Sequence, residues 1–189
     1  MSCINPKLFV ISGPSGAGKG TLVARVRELR PDLGLTVSAT TREPREGEID
    51  GTSYYFLTEE EFSRRLDADE FVEWANVHGH RYGTLVSEVS SKLAAGSSLV
   101  LEIDVQGAFQ VKERFPEAVL VFIMPPSLPV LQERLSNRGT ESADSLALRL
   151  ANAEREMALA DRYDDVVVND DLDRAVDELL AVLDKHERN

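Results

Sequence analysis

The length, composition and charge of the chain limit what it can be. Its 189 residues are 42% hydrophobic and 29% charged, which is enough for one core and too short for two independent ones. No apolar run approaches the roughly 18 residues of a membrane helix, and the N-terminus lacks the layout of a signal peptide. The net charge of -12 argues against a nucleic-acid binder, and a single cysteine, Cys3, excludes an internal disulfide. We therefore expect one soluble, cytoplasmic domain.

The chain opens on a strand, a glycine-rich turn and a helix. Residues 7–12 are an apolar run of strand formers, and from 19 to 30 apolar residues recur at helical spacing until Pro31. The turn between them, 13–19 (GPSGAGK), matches the G-x-x-x-x-G-K pattern of a phosphate-binding P-loop. A glycine-rich turn with a surface lysine is the alternative interpretation.

A P-loop curls so that several backbone N–H groups and a helix N-terminus face one anion, while its lysine adds a charge for the β- and γ-phosphates. The strand and helix on either side favour this interpretation. We therefore predict that the following residues contact a nucleoside triphosphate: Gly13, Pro14, Ser15, Gly16, Ala17, Gly18, Lys19, Gly20 and Thr21.

Gly20 departs from the general pattern. The residue after the P-loop lysine is usually Ser or Thr, whose hydroxyl contacts Mg²⁺. Mg²⁺ keeps much of its hydration shell, so phosphates and water can hold it with few protein ligands. We predict Mg²⁺ bound with the nucleotide and no dedicated protein metal ligand, with the hydroxyl of Thr21 as the nearest substitute.

The rest of the chain divides into three kinds of segment. Residues 35–85 show little helical periodicity and contain strand-like pieces at 53–57 and 71–77, which predicts an inserted, mostly β lobe. An α/β alternation follows and predicts a parallel sheet. Its predicted elements are helix 86–95, strand 98–103, helix 105–114, strand 118–123, strand 165–168 and the amphipathic helix 172–186.

The segment 130–162 follows three prolines and alternates in charge. It is interpreted as two helices broken around 138–140, which is typical of a mobile helical hairpin.

Several blocks of the sequence agree with one known family. They are 38–51 (SATTREPREGEIDG), 73–75 (EWA), 82–84 (YGT), 138–141 (RGTE) and 168–172 (VNDDL). With the P-loop, they closely resemble the guanylate kinase family in the same order and over nearly the whole chain. The resemblance implies a P-loop three-layer α/β core (1–37, 86–125 and 163–189), a GMP-binding lobe (38–85) and a lid (126–162). It also implies transfer of the γ-phosphoryl group of ATP to GMP, and to dGMP, in purine nucleotide metabolism.

By the same resemblance, the acceptor phosphate is held by Arg42, Arg45, Tyr54 and Tyr82, and Arg149 is also expected to bind GMP. Two guanidinium groups three positions apart suit one phosphate, although a solvated basic turn is the alternative. The residues around the guanine would be Ser38, Glu73, Thr84 and Asp104.

A carboxylate such as Glu73 can accept from the guanine N1–H and 2-amino group together, a donor pair that adenine lacks. An exposed strand glutamate is the alternative at this position.

Residues 99–104 (LVLEID) predict an apolar strand that ends in carboxylates where a parallel-sheet enzyme presents residues to ligand. Glu102 and Asp104 share a face, and either can orient Mg²⁺-bound water. A structural salt bridge is the alternative. The resemblance implies an aspartate in many members of the family at the position of Glu102.

The lid arginines Arg134, Arg138 and Arg149 resemble those that close over the ATP phosphates in the family, with a solvated helix face as the alternative. Asn169 matches the part of the family that borders the adenine, although a helix cap is also possible there.

Phosphoryl transfer needs alignment and charge neutralisation more than a general base. We assign that charge to Lys19, Arg42, Arg138 and Arg149. Three other functions stay open: a kinase for another acceptor, a phosphopeptide-binding module, and a nucleotide-hydrolysing switch. The oligomeric state is left undetermined.

Overall fold

The computed structural model describes residues 5–77, 79–136 and 143–188, so Cys3 and the 138–141 motif lie outside the described residues. The elements follow in chain order: β1 (Leu8–Ser12), α1 (Lys19–Leu29), β2 (Gly34–Leu35), β3 (Ser38–Thr40), β4 (Tyr55–Phe56), α2 (Glu59–Asp67), β5 (Phe71–Val77), β6 (His80–Leu85), α3 (Val86–Ala94), β7 (Leu99–Glu102), α4 (Val105–Arg114), β8 (Val119–Met124), α5 (Leu128–Ser136), α6 (Ala143–Met157), a short 3₁₀ helix (Ala160–Arg162), β9 (Asp165–Val168) and α7 (Leu172–Glu187). Strands and helices alternate through most of the chain, which confirms the predicted α/β class.

The first sheet has five strands in the order β2-β7-β1-β8-β9. Every neighbouring pair is parallel, as the sequence predicts. β1 lies in the centre with β7 beside it, so the turn after β1 and the carboxylates that follow β7 open at the same edge of the sheet. That edge is where parallel α/β proteins present residues to a ligand.

Both faces of this sheet are buried. Phe9 and Ile11 of β1 enter a core shared with α1 and α7. Leu8 and Val10 enter a second core that contains residues of α3 and α4. Burial on two faces explains why β1 is a continuous apolar run and not an alternating one.

The second sheet has four strands in the order β4-β3-β6-β5 and is built between β2 and α3 in sequence. β6 pairs antiparallel with β3 and β5, and β4 pairs parallel with β3. The predicted strands are present, but the sequence analysis missed α2. Its start carries a capping box, in which Thr58 and Glu61 exchange hydrogen bonds, and this signal is readable in the sequence. Phe62 of α2 stacks on Phe71 with ring centroids 4.3 Å apart.

The helices α5 and α6 form a small core of their own, which contains Leu131, Leu135 and Ala153. Two of these side chains also reach the glycine turn, because a Cβ added at Gly16 would lie 2.9 Å from both Leu131 and Leu135. The helical pair is thus joined to the loop that follows β1. In the part of the chain that the structure describes, no helix combines the length and the apolar character needed to cross a membrane.

Candidate active site

The glycine turn after β1 is a compact loop that ends in the first helix. Gly13, Gly16 and Gly18 all have positive φ, and at Gly18 the angle is 91°. A Cβ at Gly18 would lie 2.4 Å from the side-chain nitrogen of Asn169, so only glycine fits there. The Lys19 ammonium donates to the carbonyl oxygens of Gly13 at 2.6 Å and of Pro14 at 3.0 Å. The lysine charge therefore lies across the mouth of the loop.

Two polar side chains brace this loop from the opposite side. Asn169 is buried, with 6% of its surface exposed, and donates its amide N–H to the carbonyl of Ala17 at 2.7 Å. Arg134 of α5 donates to Ala17 O at 3.4 Å and to Asn169 O at 2.9 Å. Arg134 and Asn169, two of the residues that the resemblance names for the ATP side, thus lie against the loop.

Glu102 faces the start of α1, opposite the position where the general P-loop pattern has a hydroxyl. A Cβ at Gly20 would lie 3.6 Å from both carboxylate oxygens of Glu102. The surrounding protein raises the pKa of Glu102 by desolvation, and the nearby charge of Lys19 partly opposes this. The carboxylate side chain thus occupies the space beside the missing Ser or Thr.

A second cluster gathers on the four-stranded sheet. The guanidinium of Arg42 lies 5.5 Å from the ring centroid of Tyr54, and the rings of Tyr54 and Tyr82 meet edge to face at 6.1 Å. Arg42 donates to both carboxylate oxygens of Glu48, at 2.8 and 2.9 Å, which raises the pKa of Arg42. Arg45 is exposed, and its backbone N–H donates to Glu48 at 2.8 Å.

Glu48 is a residue that the sequence analysis missed. It lies in the same segment, 38–51, as the two arginines, six positions after Arg42, and this nearness in sequence was the available signal. Its carboxylate fixes the Arg42 side chain within the second cluster.

Glu73 is the most unusual carboxyl group in the site. It is 7% exposed, and its Oε1 accepts the hydroxyl of Thr84 at 2.7 Å. Burial raises its pKa to about 7; the Thr84 hydrogen bond opposes this rise, and repulsion from Asp104 adds to it. The exposed-glutamate alternative for Glu73 is therefore wrong.

Asp104 caps the helix that follows β7. Its Oδ1 accepts the backbone N–H of Gly107 at 2.7 Å, so the residue is the N-cap of α4. A Cβ at Gly107 would lie 3.3 Å from Glu73 Oε2 and 3.4 Å from Asp104 Oδ1. The absence of a side chain at Gly107 therefore leaves room for both carboxylates near the helix N-terminus.

These clusters open into one cavity of about 380 Å³. Its wall includes Lys19 from the loop, Glu102, Ile103 and Asp104 from the end of β7, and residues of the four-stranded sheet. The sheet contributes Ser38, Tyr54, Glu73, Val77, Tyr82 and Gly83. The cavity thus joins the cationic loop to the tyrosines and the buried carboxyl group.

The remaining predicted residues do not line this cavity in the part of the chain that the structure describes. Arg149 lies half-buried on α6, Thr21 is exposed on α1, and Arg138 lies outside the described residues. Glu156 at the end of α6 was not singled out from the sequence. Desolvation raises its pKa while the charge of Lys19 lowers it, so it lies within electrostatic reach of the loop lysine.

The described part of the site offers few protein ligands to a metal ion. Across residues 5–77, 79–136 and 143–188, no three His, Cys, Asp or Glu side chains are grouped so that they hold a metal ion. Glu102 beside Gly20 and Lys19 supplies a hard oxygen donor, the type that Mg²⁺ prefers. Because Mg²⁺ needs few protein ligands, this donor set fits a metal carried by a nucleotide.

Comparison with known proteins gives one consistent family. The family profile described as guanylate kinase matches residues 5–186. The chain is 51% identical over 176 residues to the guanylate kinase of Caldanaerobacter subterraneus, covering 93% of this chain and 85% of that protein. It is 47% identical to the guanylate kinase of Synechocystis, covering 97% of this chain and 96% of that one.

Solved structures agree with the sequence comparison. The crystal structure of guanylate kinase from Anaplasma phagocytophilum superposes with a TM-score of 0.73 at 31% identity, over 99% of this chain and 88% of that chain. A shikimate kinase from Bacteroides thetaiotaomicron, at 15% identity and a TM-score of 0.52 over 94% of this chain and 98% of its own, shares the fold alone.

Proposed function

Since the chain belongs to the guanylate kinase family and phosphorylates GMP to GDP with ATP as the donor, we propose how its own residues divide that work. One observation carries the proposal. A single cavity is lined by the loop lysine on one side and by Tyr54, Glu73 and Tyr82 on the other. A donor phosphate on the loop and an acceptor nucleotide on the sheet would therefore meet in the same space.

The acceptor phosphate binds at the cluster around Arg42. Arg42 supplies the charge, and Tyr54 and Tyr82 supply hydroxyl donors beside it. Glu48 holds the Arg42 guanidinium by a two-oxygen contact, so the fork is oriented before the phosphate arrives. Arg45 approaches from the exposed edge of the same run and adds a second cation.

The guanine binds against Glu73, with Ser38, Thr84 and Asp104 around it. In its ionised form Glu73 accepts the two neighbouring N–H donors of guanine at once. The hydroxyl of Thr84 donates to Oε1 of Glu73 at 2.7 Å. Oε2 and the remaining lone pair of Oε1 can therefore accept the N–H groups of the base. An adenine ring presents no such donor pair and would leave the buried carboxyl group unpaired.

The donor nucleotide binds at residues 13–21. Backbone N–H groups of the loop and the start of α1 surround the phosphates, and Lys19 neutralises charge on the β- and γ-groups. Arg134 and Asn169 keep the loop in shape through their bonds to Ala17. We extend the lid role to Arg138 and Arg149, which would cover the transferred group when the lid closes.

Mg²⁺ travels with ATP, and we assign its protein contact to Glu102. When bound, the metal would supply positive charge that neutralises the charge developing during transfer. Gly20 has no hydroxyl to offer, but the Glu102 carboxylate reaches the space where a side chain at position 20 would begin. Glu102 would hold the metal or its bound water in place of the missing Ser or Thr.

This assignment is tested by the affinity of the enzyme–ATP complex for Mn²⁺, followed by electron paramagnetic resonance. Glu102→Gln should weaken Mn²⁺ binding about tenfold, the usual loss for a supporting ligand. Adding Gly20→Ser in the Glu102→Gln background should restore part of the affinity. Gly20→Ala is the matched control, because it adds the Cβ alone and should restore nothing. Unchanged Mn²⁺ affinity in Glu102→Gln would remove Glu102 from the metal site.

Phosphoryl transfer needs donor and acceptor in line, positive charge around the moving group and exclusion of water. The transition state spreads charge over the moving phosphoryl group. Lys19, which lines the cavity, and Arg42, which lies beside the cavity residue Tyr54, would stabilise that charge without a strong base. Closure of the lid and of the four-stranded sheet over the cavity would exclude water that otherwise hydrolyses ATP. The two substrates should therefore cooperate in closing the enzyme.

The specificity is tested with a coupled ADP-release assay using MgATP and GMP, dGMP, AMP, CMP and UMP. We expect turnover with GMP and also with dGMP, which differs from GMP in lacking one ribose hydroxyl. Rapid turnover with AMP or a pyrimidine nucleotide would overturn the guanine assignment.

The same proposal includes the division of the chain into lobes, its location in the cell and its partners. We assign GMP binding to 38–85, the lid to 126–162 and the catalytic core to the remainder, because the two sheets and the α5–α6 pair follow these limits. We place the activity in the cytoplasm, where ATP and GMP are both available. The net charge of -12 disfavours nucleic acid as a partner.

A further inference from the structure

The chain passes between the two sheets at two places, and both lie beside one buried carboxylate. On the first passage, Thr36 N–H donates to Val100 O of the five-stranded sheet, while Ser38 already pairs with Thr84 in the four-stranded sheet. Val37 is thus the only residue between the two pairings. On the second passage, β6 ends at Leu85 and α3 begins at the next residue.

Glu88 of α3 holds the first passage and the four-stranded sheet at once. It is 7% exposed, and its Oε1 accepts the backbone N–H of Val37 at 2.9 Å. Its Oε2 accepts the hydroxyl of Tyr55 at 3.0 Å. Lys92, one turn later, contacts Glu88 Oε1 at 2.5 Å and donates to the carbonyl of Leu35 at 2.8 Å.

These contacts keep Glu88 ionised. Burial alone would raise its pKa, but the hydrogen bonds from Lys92, the Val37 amide and Tyr55 outweigh the desolvation, so the pKa of Glu88 is lowered. A buried carboxylate with three donors resists movement, because loss of any one donor would leave part of its charge uncompensated.

Tyr55 connects Glu88 to the acceptor site. It follows Tyr54, and side chains of neighbouring strand residues point to opposite faces of a sheet. Tyr54 accordingly meets Arg42 and Tyr82 in the cavity, while Tyr55 reaches Glu88 on the other side. A cleft of about 550 Å³ lies beside this contact, lined in part by Glu61 and Arg65 of α2 and by residues of α3. It leaves space for α2 to approach α3 if the sheet turns.

We propose that Glu88 is a positioning residue for phosphoryl transfer, acting as the pivot that sets the angle of the acceptor-binding sheet against the core. This inference rests on the proposed function of the cavity. Glu88 touches neither substrate. It acts through Val37 on Ser38 and through Tyr55 on Tyr54, and so determines where the acceptor phosphate meets the loop.

The test compares Glu88→Gln and Tyr55→Phe with the wild-type enzyme. Tyr55→Phe removes one hydroxyl and keeps the ring, so it tests the pivot even if Glu88→Gln folds poorly. Ser87→Ala is the matched control, an exposed neighbour on α3 that lines the same cleft. The measurements are kcat, the Kd of GMP without ATP, the melting temperature, and the ratio of ADP released to GDP formed.

If Glu88 is the pivot, kcat should fall at least tenfold in Glu88→Gln and about threefold in Tyr55→Phe, while the Kd of GMP stays within twofold. The ratio of ADP to GDP should rise above one in both variants, because a misplaced acceptor lets water take the phosphoryl group. Ser87→Ala should match the wild type in every measurement.

A kcat within twofold of the wild type and an unchanged product ratio in both variants would overturn the pivot while leaving the kinase activity intact. A parallel loss of kcat, GMP affinity and melting temperature with a ratio of one would overturn it too, because Glu88 would then be purely structural. Wild-type enzyme that fails to phosphorylate GMP would overturn the proposed function, and the pivot with it.

Discussion

The buried carboxyl group of Glu73 should make the enzyme less stable than it would be with a neutral residue at this position. Glu73→Gln keeps the shape and an acceptor for the Thr84 hydroxyl, and it removes the charge next to Asp104. A group with a pKa of about 7 when folded and 4.5 when unfolded binds more protons in the folded state between those pH values. Its contribution therefore favours folding at low pH and is lost as pH rises through 7.

The size of the effect follows from the two pKa values. Each pKa unit is worth about 1.4 kcal/mol, so a rise from 4.5 to about 7 corresponds to roughly 3 kcal/mol of lost stability above pH 8. Burial of the glutamine amide reduces the gain, and we expect Glu73→Gln to be about 2 kcal/mol more stable than the wild type at pH 8. Below pH 4.5 only the cost of burying the amide remains, so Glu73→Gln should there be about 1 kcal/mol less stable than the wild type.

Urea unfolding at half-unit steps from pH 4.5 to 8.5 measures this difference directly. Glu178→Gln, which removes an exposed carboxylate on α7, is the matched control. In Glu73→Gln, kcat/KM for GMP should also fall on the order of 100-fold, because the variant loses a charge-assisted hydrogen bond to the base worth about 3 kcal/mol. A stability difference that is flat across the pH range, or a variant less stable than wild type at pH 8, would refute the burial argument.

Three further predictions concern single positions. Gly107→Ala should lower kcat/KM for GMP about tenfold in the coupled assay, because a Cβ 3.3 Å from Glu73 Oε2 displaces the carboxylate that we propose contacts the guanine; unchanged GMP kinetics would contradict this. Arg42→Lys should raise the KM for GMP at least tenfold, since the point charge of lysine cannot replace a planar guanidinium that Glu48 already orients. A KM within twofold of wild type would exclude Arg42 as a phosphate ligand. Gly18→Ala should weaken ATP binding measured by calorimetry and lower the melting temperature by several degrees, because the added Cβ meets Asn169 at 2.4 Å; wild-type values for both would contradict the tight fit.

The sequence predicted the core elements well because they are long and strongly patterned. The predicted limits of α4, β5 and β9 agree with the structure, and the apolar face predicted for α7 is buried or partly buried. The short pieces were harder. β2 has two residues and depends on pairing with β7, and α2 has a single fully buried apolar residue, Phe62. In both, tertiary contacts decide the structure and local periodicity carries little information.

The site shows the same division. The loop glycines and Lys19 follow from a local pattern, since their spacing specifies the turn. The high pKa of Glu73 does not, because it arises from burial by residues far away in sequence. The hold of Glu48 on Arg42 and of Glu88 on Val37 also depends on the fold, and the second spans 51 positions. Spacing alone cannot distinguish such contacts from solvated charges.

The central claim is direct transfer of the γ-phosphoryl group to GMP, and the most direct test follows that group. ATP labelled with ³²P at the γ-position is incubated with GMP and either the wild-type enzyme or Lys19→Ala, and the products are separated. We predict label in the β-phosphate of GDP with the wild type, at a rate about 10²–10³-fold lower in the variant. Label released as inorganic phosphate would indicate a hydrolase, and no transfer by folded protein that still binds GMP would indicate a binding module; either result would contradict the account.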